Sequence, residues 1–264
     1  MSNFLKRILS GVVYVVIFIT AILFSEVSYY ALMVLFAVGC IVEFSKLIKY
    51  KNIISYALLP IFIYFFVQGF SEKLILFLLV ITLLSSLRLI INLYRKESNY
   101  PKIKIEKLDA TIRYIIFPFY FLVLLPFIDN EYTPFIIIAI LILIWVSDSF
   151  AFLVGKNLGK TKLFESISPK KTIEGFVGGF LFSVIASYII AINTSLFSIT
   201  DWIIIGVIVS VFGMFGDLVE SKFKRQANVK DSGKIMPGHG GLLDRLDSVL
   251  FVAPFVYLYI HYII

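Results

Sequence analysis

Long hydrophobic runs recur from one end of this 264-residue chain to the other, and they constrain its fold more tightly than any other feature. Each approaches about 20 residues, the length a helix needs to cross the hydrocarbon core of a bilayer. Nine can be read: Ile8 to Phe24, Tyr29 to Val42, Ile53 to Phe70, Leu74 to Leu93, Ala110 to Ile128, Pro134 to Val154, Ile173 to Ile192, Trp202 to Val219 and Leu246 to Ile263. The second is short unless its helix continues through Glu43 to Ile48. Backbone groups inside a membrane must bond within the chain, so the runs are expected to be helices; a barrel would alternate, and these runs do not. A mean hydropathy of +0.96, with only 16% charged residues, places the chain in the same class. The expected fold class is all-α, a polytopic integral membrane protein of about nine transmembrane helices.

Basic residues collect in cytoplasmic loops, so their distribution predicts orientation. With the N-terminus inside, Lys6 and Arg7, Lys46 to Lys51, Arg95 to Lys107, Lys156 to Lys171 and Lys222 to Lys234 all fall on the cytoplasmic side, with Arg245 at a helix mouth. Of 24 basic residues only Lys73 falls outside, while Arg88 and Arg113 lie within spans toward their inner ends. Dropping one span would reverse every later loop, so the pattern supports nine, with the C-terminus external. The net charge of +7 is then a topology signal, and no helix-turn-helix or RNA-binding pattern accompanies it, so no nucleic-acid partner is expected. The single cysteine, Cys40, excludes a disulfide framework or a cysteine-built metal site. The first run lacks a convincing cleavage site and reads as a retained helix.

The chain changes character along its length. Residues 1–128 read as lipid-facing scaffold helices, with dimer contacts allowed for and Glu43, Arg88 and Arg113 as polar exceptions near the cytoplasmic side. This half says little about chemistry. Residues 129–264 read as the catalytic region. Ionisable groups at membrane depth are costly and point to function. Asp148 lies toward the inner end of the sixth span, Asp217 and Glu220 at the inner end of the eighth, and Asp244 and Asp247 at the inner start of the ninth. "DLVES" and "DRLDS" share one spelling, acids at i and i+3 and serine at i+4, which puts each set on one helical face. Two such faces opposed would make an oxygen-rich pocket suited to a hard cation, Mg²⁺ above all. The competing reading pairs these acids with Lys222, Arg225 or Arg245 as interfacial salt bridges.

Glycines and cations supply the other half. "KIMPGHGG" must be an irregular turn, since Pro237 and the glycines cannot continue a helix. Backbone N–H groups there could approach a phosphate, beside the positive end of the ninth helix. "SPKKTIEG", Ser168 to Gly175, repeats the logic as a loop before the seventh helix, with Lys170, Lys171, Thr172 and Glu174; Thr172 reads equally well as a plain helix cap. Two helix starts among many cations suit a polyanion such as a triphosphate. His239 has no partner at ligand spacing, and phosphate contact or loop packing is preferred to general base. No serine-hydrolase elbow, zinc-protease motif or P-loop is present.

At these residues the sequence resembles the phosphatidate cytidylyltransferases, or CDP-diacylglycerol synthases. "SKFKRQANVKDSGKIMPGHGGLLDRLD", Ser221 to Asp247, is similar to that family's signature, with Met236 where Leu, Ile or Phe is expected. "DSFAFLVGKNLGKTKLFESISPKKTIEG" is also similar, with Phe152 where tyrosine is frequent. The resemblance is specific over Trp145 to Asp247 and elsewhere rests on hydrophobicity alone. It implies transfer of CMP from CTP to phosphatidic acid, with Mg²⁺ and allowance for a second cation, at the cytoplasmic face of the inner membrane. It implies Asp217 and Asp244 as core metal ligands, supported by Asp247, Glu220 and Asp148. Lys224, Arg225 and Arg245 would act in catalysis, and Ser168, Lys170, Lys171, Thr172, Glu174, Ser221, Lys230, Asp231, His239, Gly240 and Gly241 would bind substrate. A CTP-dependent lipid kinase of the dolichol kinase type and, from another class, a membrane transporter are the alternatives. A transporter would more often place its acids near the midplane between repeats, and none is evident here.

Overall fold

The computed structural model of the protein describes residues 3–51, 53–57, 71–95, 100–236, 238 and 240–264. It is built almost wholly of helices: α1 Asn3–Phe24, α2 Glu26–Leu47, α3 Glu72–Leu93, α4 Lys104–Thr111, α5 Phe117–Leu124, α6 Pro134–Leu158, α7 Ile173–Ile192, α8 Ile199–Gln226 and α9 Leu243–Tyr262. The expected third span lies outside the described residues except for 53–57, which are helical, and so do Pro237, His239, Lys96 and the side chains of Lys6 and Arg7. Every other expected span falls on helix, except that the fifth ends in a turn and strand over 125–128. Among the described residues five helices, α2, α3, α6, α7 and α8, are long and apolar enough to cross a membrane, and Leu9–Phe24 of α1 is a shorter apolar stretch. α9 carries Asp244, Arg245 and Asp247 at one end and tyrosines with His261 at the other.

Local chemistry sets the helix limits. Ser25 and Ser28 form a capping box at the start of α2, Ser198 and Asp201 another at α8, and Pro134 takes the first turn of α6, where its missing N–H costs nothing. The fifth run is not one regular helix. Pro118 cannot donate to the preceding turn, and a π-helical turn at Ile112–Ile116 joins α4 to α5 just before it. Two short hairpins were not expected. β1 Phe127–Ile128 pairs with β2 Glu131–Tyr132 across Asp129 and Asn130, both with positive φ (51° and 63°), a two-residue turn that suits strand twist. β3 Lys162–Phe164 pairs antiparallel with β4 Ser168–Thr172, so the expected loop before α7 is a hairpin strand instead.

The outward faces remain apolar in both halves: Val16, Leu35, Phe77 and Leu84 are exposed, as are Leu181, Ile185 and Ile189, a surface suited to lipid rather than water. Inside, Phe18, Tyr29, Phe44, Phe121 and Trp202 are fully buried. Small residues let the later helices close up, as is common where lipid supplies no hydrophobic drive between helices. Gly216 matters most: a Cβ there would lie 2.7 Å from the Asp247 carbonyl oxygen and 2.7 Å from Phe251 Cβ, so its absence lets α8 meet α9 backbone to backbone. The next residue is Asp217.

Candidate active site

The C-terminal end of α8 is closed by chain geometry. Asn228 turns left-handed (φ 56°), its N–H bonds the Arg225 carbonyl at 3.0 Å, and the Val229 N–H bonds the Lys224 carbonyl at 2.9 Å, a Schellman closure. The chain returns to α9 through a tight turn in which Met236 and Gly240 exchange backbone bonds of 3.0 and 3.2 Å. Gly238 and Gly240 take φ of 79° and 92°, values that glycine alone adopts without strain. The start of α9 thereby comes alongside the end of α8.

Three acids converge where the helices meet. Asp217 and Glu220 of α8 and Asp247 of α9 each offer a carboxylate oxygen, all within 4.8 Å of one another. Glu220 is 0% exposed and Asp247 8%, whereas the Asp217 side chain is 35% exposed, so the cluster opens past Asp217. Ser221 Oγ donates to Asp217 Oδ1 at 3.1 Å, and Lys171, reaching in from β4, lies 2.5 Å from Asp217 Oδ2. Asp247 Oδ1 accepts the Ser248 N–H at 2.7 Å, while Ser248 Oγ donates to the Gly213 carbonyl of α8.

Asp244 lies beside this group and does different work. Its Oδ2 accepts from the Gly241 N–H at 2.7 Å and from the N–H and Oγ of Ser232, both at 2.9 Å. Its Oδ1 meets Lys224 Nζ at 2.6 Å, and the same ammonium is paired with Glu220. Lys224 is therefore a buried tie between α8 and α9. The acids that come closest together are thus Asp217, Glu220 and Asp247, while Asp244, in the first turn of α9, is bound by the loop N–H groups of Ser232 and Gly241.

The remaining expected residues divide. Asp148 is exposed on α6, within electrostatic reach of Lys171, Asp217 and Arg245. Lys170, Lys230, Asp231 and Arg245 are exposed. Others are held in structural contacts. Thr172 Oγ1 accepts the Gly175 N–H at 3.1 Å and caps α7, and Glu174 accepts the N–H groups of Lys160 and Thr161 at 3.0 and 3.1 Å. Arg225 donates to the carbonyls of Ile167 and Val229, tying the β3–β4 hairpin to the end of α8. Ser168 is half-buried opposite Phe164, and Lys222 donates to the carbonyls of Asn92 and Arg95. Of the partners that the competing reading gives the acids (Lys222, Arg225 or Arg245), Lys222 and Arg225 donate to backbone carbonyls, while Lys171 pairs with Asp217 and Lys224 with Glu220 and Asp244. His239 lies outside the described residues.

Glu43 is the residue that the sequence hid. It descends from α2, is 1% exposed, and accepts bonds from Ser232 Oγ at 3.1 Å and the Leu243 N–H at 2.9 Å. Its one local signal was an acid in an apolar run.

A hard cation suits the cluster. The donors are all carboxylate oxygens, and four close acids (Asp217, Glu220, Asp244, Asp247) face the two ammonium groups of Lys171 and Lys224. Like charges so close repel unless a cation or proton intervenes. In addition, Glu220 Oε1 is buried with no hydrogen-bond partner among the described residues.

Comparison with known proteins identifies the family. Residues 5–263 match the model of the cytidylyltransferase family. A protein of Bacillus subtilis (strain 168) named phosphatidate cytidylyltransferase is 34% identical over 271 residues, covering 97% of this chain and 97% of its own. Proteins of the same name from Staphylococcus saprophyticus and Staphylococcus aureus (strain COL) are 50% and 51% identical over 127 residues, 47% of this chain and 48% of each relative. With the match running through all the helices that build the acid cluster, the chain belongs to the cytidylyltransferase family.

Proposed function

We propose that this protein transfers CMP from CTP to phosphatidic acid, forming CDP-diacylglycerol and pyrophosphate, with its acid cluster as the catalytic centre. The observation that carries the proposal is the convergence of Asp217, Glu220 and Asp247 at the α8–α9 contact, in a chain of this family. An oxygen of the lipid phosphate attacks the α-phosphorus of CTP. The bond from that phosphorus to the bridging oxygen of the β-phosphate breaks, and pyrophosphate leaves with the electron pair.

Asp217, Glu220 and Asp247 would hold Mg²⁺, with Asp148 in support and allowance for a second cation. When bound there, Mg²⁺ would supply positive charge to offset that on the transferred group and on the leaving pyrophosphate. Lys171 and Lys170 of β4, with Lys230 and Arg245, hold phosphate oxygens. Lys171 already reaches the cluster, so it is placed to bind a triphosphate lying across it. Lys224 fixes Glu220 and Asp244, and Asp244 in turn fixes the turn at Ser232 and Gly241. An ionised phosphate is already a nucleophile, so no side chain is needed as general base.

The site faces the cytoplasm in this proposal, as the lysine-rich loops favour. Membranes carrying the chain, given phosphatidic acid, labelled CTP and Mg²⁺, are expected to yield labelled CDP-diacylglycerol and pyrophosphate. Recovery of newly phosphorylated lipid with CDP would point to a lipid kinase. For sidedness, cysteines introduced at Asn193 to Thr200 should label from outside, and labelling from the cytoplasm alone would reverse the orientation.

A further inference from the structure

We infer that Glu43 is a positioning residue of this site: from the N-terminal half of the chain it holds the glycine-rich turn and the start of α9, and with them Asp244 and Asp247. The inference rests on the proposed CMP transfer for its consequence in turnover, and on geometry for the contact itself. Four observations carry it.

The first is the target of the bonds. Leu243 opens α9, and the residue at its N-cap, Leu242, has no side-chain oxygen to offer the free N–H groups. Glu43 Oε2 accepts the Leu243 N–H across 200 residues of sequence, capping the helix from another element and placing negative charge at its positive end. The second is Ser232. Its hydroxyl lies 3.1 Å from Glu43 Oε2 and 2.9 Å from Asp244 Oδ2, and with a single proton it links the two carboxylates. Glu43 and Asp244 therefore grip the same serine from opposite halves of the chain.

The third is the pair of glycines around the carboxyl group. A Cβ on Gly233 or on Gly241 would fall on the Glu43 carboxyl group itself, so the turn wraps the acid at contact distance. The fourth is Gly39, one helical turn before Glu43 on the same face. A Cβ there would lie 2.7 Å from Leu242 Cδ2, so α2 presents a notch for Leu242 beside the acceptor for Leu243. A carboxyl group 1% exposed, with Oε1 lacking a partner among the described residues, is costly to bury. An apolar side chain would pack there at less cost, and it would leave the turn unheld.

The test uses the full chain in detergent or lipid, with Glu43→Ala and Glu43→Gln. Hydrogen exchange at the Ser232, Gly241 and Leu243 amides is read beside kcat, the KM for CTP and the melting temperature. In Glu43→Ala these three amides should exchange faster than in wild type, and kcat should fall about 10²-fold, the usual cost of misplacing a catalytic group by about 1 Å. Glu43→Gln keeps one oxygen acceptor and should recover about tenfold of that loss, with intermediate exchange. If Glu43→Ala does not fold, the glutamine variant carries the test through the same amides and its own drop in kcat. Unchanged exchange, or a kcat within about twofold of wild type while only the melting temperature drops, overturns the inference. Should wild type make no CDP-diacylglycerol, the proposed activity falls, and the exchange measurement alone then upholds or overturns Glu43's hold on the turn.

Discussion

"DLVES" and "DRLDS" are spelled alike and fold into different environments. Asp217, late in α8, has its backbone satisfied by the helix, and its carboxylate is left to Ser221, Lys171 and the open side of the cluster. Asp244, in the first turn of α9, lies among N–H groups that have no helical partner, and it takes those of Ser232 and Gly241. The second acids differ less: Glu220 and Asp247 are both buried and both join the cluster. Spacing along a helix tells which side chains share a face, and distance from the helix start tells which of them the backbone will claim. The same five-residue pattern thus supplies a cluster member at one first position and a turn-holding residue at the other.

Lys224 joins the two patterns, and removing it should have the largest effect on stability. Lys224→Met would leave Glu220 and Asp244 facing one another without their shared ammonium, a loss of about 3–5 kcal/mol when a buried pair is broken. Denaturation of the purified variant checks this, and a melting temperature equal to wild type would show that the two patterns are not coupled through it. Next come Asp217→Asn and Asp247→Asn, nearly isosteric changes that should leave folding intact while turnover falls about 10²- to 10³-fold. If the acids served only as salt-bridge partners, stability would fall and turnover per folded molecule would survive. Asp244→Asn should be milder in turnover, about 10- to 10²-fold, because it weakens charge-assisted bonds to the turn rather than the cluster. Faster amide exchange at Gly241 should accompany it. The smallest effect belongs to α7, a helix start with a cap of its own: Thr172→Ala should cost about 1 kcal/mol and leave the KM for CTP near wild type. A large rise in that KM would move Thr172 from cap to substrate contact.

How much of this was legible follows from the range of each interaction. The helices could be read because a membrane demands long apolar runs, but the break near Pro118 was missed, since the run itself stays apolar through it. The two hairpins could not, since strands this short leave little pattern. Asp217, Glu220 and Asp247 were visible as ionisable residues at helix ends, but whether Asp217 and Asp244 share one role was not, because i, i+3 spacing says nothing about where a helix begins. Glu43 was hidden for a plainer reason. Its partners lie 189 and 200 residues away, and nothing near it in sequence hints at a turn that needs holding. Gly233 and Gly241 carry the matching signal, yet a glycine required by close approach looks, in sequence, like one required by a turn.

In the proposed mechanism an ion is held between α8 and α9 by Asp217, Glu220 and Asp247. Its most direct test is Mn²⁺ binding followed by electron paramagnetic resonance, without substrate, in wild type, Asp247→Asn and Asp244→Asn. Wild type should bind the ion, Asp247→Asn should bind it more than about 100-fold more weakly, beyond the usual loss for an outer-shell contact, and Asp244→Asn should lose no more than about tenfold. Wild-type affinity in Asp247→Asn, or a loss confined to Asp244→Asn, would contradict the claim.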